Sequence, residues 1–263
     1  MLPEKLFDQL GRCSPELTSE EVIKKSRKYF YLDEAVREKL DDSEIFKNLK
    51  NYYNDQINID YDEFIKRISK LRNKVEQDSN INNIRNSINI PFILPIIKDH
   101  TDIGKDIDTL LIPQLIKSFK DKFPDYDFVN HCKVNLEGNI SATKVSRYDQ
   151  IIENLKTKNS VGILYLSLNE FSFPAAENVI TKLPEYFYLT GPYELFSVLI
   201  GFPGLLLRND KYPPLIWISS IKDNTNPNIG YVIEPYGYNL TFNKRPHFNQ
   251  ANEYWWHSLS IVD

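Results

Sequence analysis

The spacing of apolar residues changes its period near residue 85. Before that point, apolar side chains recur at helical intervals, as Ile45, Leu49, Tyr52 and Tyr53 do. After it, short continuous apolar runs appear, and residues 161–168 (VGILYLSL) are typical of a buried strand. A helical start followed by mixed elements favours an α+β fold over a doubly wound sheet. We therefore expect an N-terminal helical region over residues 1–85 and an α+β domain over residues 86–263, with a mixed sheet and flanking helices.

Two helix starts in the N-terminal region are marked by capping boxes. In this motif a short polar side chain and a glutamate three residues later bond each other's backbone amides. Thr18 with Glu21, and Asp60 with Glu63, have this spacing. Together with the apolar stripe between them, they predict three or four helices in the first 80 residues.

Prolines and glycines mark the ends of helices and strands in the rest of the chain. Pro91 and Pro95 interrupt the apolar run 88–97, which predicts an edge strand or a strand with a bulge, because proline cannot donate to a neighbouring strand. Further strands are predicted at 126–134, 215–219 and 230–234. Helices are predicted at 107–123 with a break near Pro113, at 144–156, at 174–183 and at 190–201.

The charge pattern limits the partners that the chain can have. The 263 residues carry a net charge of −4 with the basic residues dispersed, whereas nucleic-acid binding requires a basic patch or stripe, so no nucleic acid is expected. One stretch is densely basic and alternates with apolar residues at helical spacing. Its members are Lys66, Arg67, Lys70, Arg72 and Lys74. We interpret it as the solvated face of an amphipathic helix; the open alternative is a patch for an anionic partner.

Cysteine, glycine and hydropathy indicate the compartment. Cys13 and Cys132 are too few for a disulfide framework, the acidic start MLPEKLFDQL is unlike a signal peptide, and no apolar run could span a bilayer. We expect a cytoplasmic protein without membrane contact. The 9 glycines are half of the roughly 18 that average usage would give, which disfavours a Gly-rich phosphate loop, and no cofactor is expected.

The order of elements and several short motifs resemble an uncharacterised bacterial family described as a domain of unknown function. The matching residues are Ile90-Pro91-Phe92, the strand 162–168, Pro174, Leu189-Thr190, Glu194, Gly201-Phe202-Pro203, Leu205-Leu206 and the late strand Pro214-Leu215-Ile216-Trp217-Ile218-Ser219. The resemblance covers residues 89–231. It departs at 99–160, which is longer and more helical here, and residues 1–60 have no counterpart. It implies a shared fold and carries over no activity, cofactor or catalytic residue.

The common catalytic motifs are absent from the sequence, among them G-x-G-x-x-G, G-x-S-x-G, H-E-x-x-H and C-x-x-C. The remaining candidates for catalytic residues are acidic. Glu170, just after the strand 161–168, and Glu234, in an aromatic-rich strand, could act as a general acid and base if the fold brings them together. The alternative is a surface acid and a hydrogen-bonded strand acid.

Oxygen ligands and an imidazole follow the apolar run 88–97. This group consists of Asp99, His100, Asp102, Asp106 and Asp108. Such side chains could bind Mg²⁺ or Mn²⁺ if the loop folds back, with Asp99, His100 and Asp102 as the first candidates and His100 as a further catalytic candidate. The alternative is helix capping and a solvated loop, since acids are favoured at helix starts.

Aromatic residues are concentrated near the C-terminus. The candidates for binding a sugar, a peptide or a protein are Tyr236, Tyr238, Trp255, Trp256 and His257. Exposed aromatic side chains with polar tips suit such ligands. The alternative is that most of them pack in the core or on the sheet.

These observations favour a non-enzymatic protein that works by binding or assembly. Its partner is an unknown protein or small molecule, and a homo-oligomer is possible. The alternative is an enzyme of unrecognised type that uses Glu170 and Glu234, or a metal held near residues 99–108.

Overall fold

The protein folds as an α+β structure in the computed structural model, which describes residues 4–24, 36–37, 39–132, 135–207, 212–247 and 249–263. Helices pack against one mixed sheet. We number helices and strands in chain order.

The helices within these ranges follow. They are α1 (Asp42–Tyr53), α2 (Tyr61–Glu76), α3 (Ile103–Asp106), α4 (Ile112–Lys122), α5 (Asp149–Leu155), α6 (Phe173–Ile180) and α7 (Pro192–Gly201). A π-helical turn, Ile107–Leu111, joins α3 to α4, and single 3₁₀ turns lie at Pro15–Leu17, Asn54–Gln56, Asn82–Asn86 and Lys144–Ser146. Pro113 stands in the first turn of α4, and the backbone stays helical through Leu111 and Ile112, so the predicted break near Pro113 is wrong: the helix changes from π to α type there without an interruption.

The strands form one large sheet and one small one. They are β1 (Asn89–Ile93), β2 (Phe128–Asn130), β3 (Ile140–Ala142), β4 (Val161–Asn169), β5 (Phe187–Leu189), β6 (Leu215–Trp217), β7 (Ile221–Asp223), β8 (Ile229–Tyr236), β9 (Asn239–Pro246) and β10 (Trp255–Val262). The eight-stranded sheet has the order β1-β4-β10-β6-β8-β9-β2, with β5 also paired to β10, and β3 pairs with β7. The β10–β6 and β9–β2 pairs are parallel and the others are antiparallel.

Two neighbouring strands of the large sheet, β4 and β10, come from distant parts of the chain. β4 pairs with β10 along most of its length, and all nine residues of β4 are buried, which explains its unbroken apolar run. β10 contacts β6 through its first two residues and β5 through residues 259–261 on the same side. At the sheet edge, β1 carries Pro91, so the edge-strand prediction is confirmed.

Helices α1 and α2 pack on the same sheet as the C-terminal part of the chain. Their apolar stripes were predicted correctly: Ile45, Leu49 and Tyr53 of α1 are buried. At α7, Gly201 leaves room for Leu49, because a Cβ there would lie 3.3 Å from the Leu49 Cγ atom. One continuous hydrophobic core includes apolar residues from both sides of residue 85. The boundary between residues 85 and 86 stays a prediction.

Three details of the predicted elements are corrected. Thr18 does not start a helix in the described residues up to Lys24: its hydroxyl accepts the Glu20 N–H in a bend, and Val22 forms a bridge with Phe171. Residues 25–35 lie outside the described ranges. The helix predicted at 144–156 begins only at Asp149, after a 3₁₀ turn. Strands β3, β5, β7, β9 and β10 were missed.

We expect that Gly162→Ala destabilises the fold. A Cβ at this position of β4 would lie 2.3 Å from a Phe92 ring carbon and 2.6 Å from the Ile261 carbonyl oxygen, so both neighbouring strands would have to shift. Overpacking of this kind costs about 1–3 kcal/mol, which urea unfolding would measure.

The matched control is Gly204→Ala, whose Cβ would meet only a Phe123 ring carbon at 3.5 Å. This variant should unfold within about 0.5 kcal/mol of the wild type. Equal stability of the two variants would contradict the close packing of β1, β4 and β10.

Candidate functional site

Two of the acidic residues proposed as metal ligands, Asp102 and Asp108, hold different parts of the backbone. Asp102 caps α3 by accepting the Lys105 N–H, and its second oxygen accepts the Gly138 N–H at 3.1 Å. Asp108 accepts the Leu136 N–H at 2.8 Å, and Asp99 is exposed. Across the described ranges, no group of three potential metal-ligating side chains comes together. The residues therefore anchor the loop at 135–139 to α3 and to the turn that follows α3.

Glu170 and Glu234 lie at different places in the sheet. Glu170 follows β4 with a φ of +66° and is 3% exposed, and its N–H donates to the Trp255 carbonyl. Glu234 lies on β8, where its carboxylate pairs with Arg245 at 2.8 Å. In the order of the sheet, β10 and β6 lie between β4 and β8. Three strand spacings of roughly 4.8 Å therefore put about 14 Å between the backbones of β4 and β8. The structure does not bring the two carboxylates together.

The C-terminal aromatic residues divide into an exposed and a buried group. Tyr236 and Tyr238, at the turn between β8 and β9, are 77% and 50% exposed, and the Tyr238 ring stacks on Tyr126 at 5.1 Å. Trp255 packs edge-on against Trp217 at 5.3 Å between ring centres. Trp256 is buried. These side chains therefore do not form one aromatic groove.

His257 is fully buried on β10 and makes two hydrogen bonds. Its Nε2 lies 3.0 Å from the Phe171 carbonyl, which only accepts, so Nδ1 accepts the Ser219 hydroxyl at 2.7 Å. Burial lowers the His257 pKa to about 3. The neutral ring is a structural link between β10 and the end of β6.

A buried polar network surrounds the start of α7. The N-cap is Gly191, which has no side chain to bond the first free amides of the helix. The Tyr148 hydroxyl takes that role: it accepts the Tyr193 N–H at 3.3 Å and donates to the Glu194 carboxyl at 2.5 Å. A Cβ on Gly191 would lie 2.0 Å from the Tyr148 ring, so glycine is required here.

The first turn of α7 is also linked to His100, through Tyr193 and Asp106. The Tyr193 hydroxyl donates to Asp106 at 2.8 Å, and His100 Nδ1 lies 2.6 Å from the same Asp106 oxygen. His100 is therefore paired within the interior and not aligned with Asp99 or Asp102. Glu194 is fully buried, its Oε1 has no hydrogen-bond partner among the described residues, and burial raises its pKa to about 7.

A polar cleft opens where α1, α2 and β1 meet, and we call it the Arg72 cleft. One part has a volume of about 640 Å³ and is lined by Arg37, Leu40, Asp41, Asp42, Arg72, Ser87 and Asn89. An adjoining part of about 370 Å³ shares Arg72 and Asn89 and is also lined by Val75, Glu76, Arg85, Asn86 and Tyr165.

Local structure explains how these side chains converge. Arg72, Val75 and Glu76 occupy one face of the last turns of α2, because residues three and four apart are neighbours on a helix. Asn89 of β1 lies opposite Tyr165 of β4 in register, so both side chains project from the same face of the sheet. The cleft remains open where α2 ends and no longer covers that face.

The charges of the Arg72 cleft are balanced and paired. An Arg72 Nη lies 3.1 Å from Asp42, and Arg85 lies 3.4 Å from Glu76. Arg37 donates to the Asn86 carbonyl. Three guanidinium groups thus face three carboxylates, including Asp41, whose side chain caps α1.

Tyr165 provides a polar group at the floor of the cleft. The residue as a whole is 2% exposed, and its hydroxyl, which bonds no described residue, keeps access to the cleft. Burial raises the Tyr165 pKa, and nearby Arg72 opposes this more weakly, so the hydroxyl keeps its proton. A neutral phenol beside a guanidinium is a donor to a ligand that accepts hydrogen bonds.

The sequence contained only weak signals for this site. Arg72 belongs to the basic stretch that we interpreted as a solvated helix face, with an anionic partner as the alternative. Arg67 pairs with Asp263, and the Lys74 ammonium lies over the Tyr186 ring at 3.7 Å. Tyr165 lies within the apolar run of β4. A tyrosine hydroxyl in such a run was the signal that could have indicated a polar group at this position.

Comparison with known proteins assigns no function to this arrangement. No protein-family model, curated protein or solved structure matches the chain. The resemblance to an uncharacterised bacterial family is consistent with this result. In the part of the chain that the structure describes, no helix combines the length and apolarity needed to cross a membrane.

We expect the stability of the protein to fall as pH rises from about 4.5 to about 7, with Glu194 as a cause. Because burial raises the Glu194 pKa from 4.5 to about 7, the folded protein keeps a proton that the unfolded chain loses in this range. The difference corresponds to about 3 kcal/mol. Urea unfolding at pH 5 and pH 8 would measure it.

Glu194→Gln is the control, because an amide keeps the acceptor for Tyr148 and does not titrate. Its loss of stability between pH 5 and pH 8 should be about 3 kcal/mol smaller than that of the wild type. The same pH dependence in both proteins would show that Glu194 is not the group responsible.

Proposed function

We propose that the protein is a cytoplasmic, non-catalytic binding protein of an uncharacterised bacterial family, and that the Arg72 cleft holds its ligand. The observation that carries this proposal is the Tyr165 hydroxyl, which opens into the cleft without a hydrogen-bond partner among the described residues. A hydroxyl beside a guanidinium in a cleft can bond an acceptor on a ligand in place of water. A bound ligand would supply that partner.

The dimensions of the cleft support a small ligand. Small-molecule sites typically measure about 300–1,000 Å³, and the larger part of the cleft is about 640 Å³. Its lining is mainly charged and polar, which favours a polar ligand over an apolar one. Binding of an unknown protein partner, or of a second copy of this chain, receives no comparable support.

The placement of the candidate catalytic groups favours binding over catalysis. Glu170 and Glu234 are separated by two strands, and His100 bonds Asp106 in the interior. Ser219 and His257 form a hydroxyl–imidazole pair, but both are buried. Within the described residues, none of these groups lines the Arg72 cleft. Cys13 and Cys132 are both buried and form no disulfide with each other, which is compatible with the proposed cytoplasmic location.

The proposal predicts that small polar solutes bind at the Arg72 cleft. We would titrate ¹⁵N-labelled full-length protein with glycylglycine, succinate, inorganic phosphate and glucose, one at a time, and follow the backbone amides by NMR. At least one solute should shift the amides of Arg72, Ser87 and Asn89 in a saturable way, because these residues line the cleft.

The amides of Tyr236 and Tyr238, which lie on the β8–β9 turn, serve as the internal control and should not shift. A saturable shift confined to that turn would move the binding site there and overturn the proposal. Conversion of a solute during the titration, seen in its own proton spectrum, would overturn the non-catalytic part.

A further inference from the structure

Hydrogen-bond donors are concentrated at the floor of the Arg72 cleft. Arg72 directs Nη1 and Nη2 toward Asp42, and the longer of these contacts is 3.5 Å. A guanidinium has five N–H donors in a fixed fork, so its Nε and its remaining hydrogens stay available. The Tyr165 hydroxyl is a further donor beside them. Donors arranged in this way suit a carboxylate, which accepts through two oxygens.

Acceptors lie around this floor. Asp42 approaches from the start of α1, and Glu76 from the last turn of α2. Asn89 uses its amide hydrogens on the carbonyls of Arg85 and Ser87, which leaves its side-chain oxygen as an acceptor. An ammonium group, which only donates, fits these oxygens.

The balance of charges in the cleft favours a zwitterionic ligand over a dianion. Among the described residues that line the cleft, the three arginines are matched by Asp41, Asp42 and Glu76. A dianion such as phosphate would leave uncompensated negative charge among these carboxylates. A ligand with one carboxylate and one ammonium group leaves the balance unchanged, and it can exchange partners with the existing ion pairs.

We propose that the Arg72 cleft binds a small zwitterion of the amino acid or short peptide class. Its carboxylate lies between Arg72 and Tyr165, and its ammonium group lies beside Asp42 or Glu76. This inference rests on the proposed function, because it specifies the ligand of the same cleft.

The test compares dipeptides that differ by one charge. Isothermal titration calorimetry with the full chain would use L-alanyl-L-alanine, its N-acetyl derivative and its C-terminal amide, with inorganic phosphate as the dianion. L-Alanyl-L-alanine should bind, and each blocked peptide should bind at least about tenfold more weakly, because one charged hydrogen-bonding group is lost. Equal affinity of either blocked peptide and the free dipeptide would overturn the proposal.

Tyr165→Phe tests the floor of the cleft directly. The hydroxyl bonds nothing in the described fold, so the variant should keep the unfolding midpoint of the wild type while its affinity for L-alanyl-L-alanine falls about tenfold. The matched control is Tyr61→Phe, which lies eleven residues before Arg72 on α2, about 16 Å away along the helix, and should bind as the wild type does. Unchanged affinity in Tyr165→Phe would overturn the assignment of the carboxylate position.

The outcomes separate the two proposals. If L-alanyl-L-alanine does not bind but phosphate, succinate or glucose shifts the cleft amides by NMR, the zwitterion proposal fails and the proposed binding function stands. If none of these probes shifts the cleft amides, both proposals fail.

Discussion

The pairing of β4 with β10 is the interaction on which the rest of the structure depends. β4 lies near the middle of the sequence and β10 is the last strand, and their antiparallel ladder joins the two halves of the sheet. On its other side, β10 pairs with β6 at its start and with β5 near its end. The sheet is therefore continuous only when the C-terminal strand is in place. This non-local pairing carries a high loop-closure cost, which the buried apolar side chains of β4 and of residues 256–262 in β10 offset.

The split between β5 and β6 along β10 explains why polar groups are buried at the start of α7. The chain leaves β5 at Leu189 and enters α7 at Pro192, and the Thr190 carbonyl accepts the N–H groups of both Ser219 and Ser220. All ten residues of α7 are buried, so its first amides cannot bond to water. Tyr148 and Glu194 supply these bonds from within the core. A titrating carboxyl therefore lies at the centre of the fold, and its burial couples the stability of the protein to pH.

The Arg72 cleft forms at the end of α2, where this helix no longer covers the sheet. α2 packs over β4 along most of its length, and Val75 near its end is still buried. Beyond Glu76 the chain turns away, and the face of β1 and β4 around Asn89 and Tyr165 is left to arginines and carboxylates from α1, α2 and the 3₁₀ turn before β1. The cleft thus combines a rigid floor, set by the sheet, with side chains from three separate segments.

Local patterns in the sequence determined the helices and strands whose periodicity is unambiguous. The stripes of α1 and α2, the cap at Asp60, the buried run of β4 and the proline-bearing edge strand β1 all follow from rules that act within a few residues, and they were sufficient for the α+β class. β9 and β10 were missed because their strand character comes from neighbours far along the chain. The candidate site was missed for the same reason. Only the tertiary structure placed Arg72, Asn89 and Tyr165 together, since their proximity depends on the register between β1 and β4 and on where α2 ends above them, and neither is encoded in local spacing.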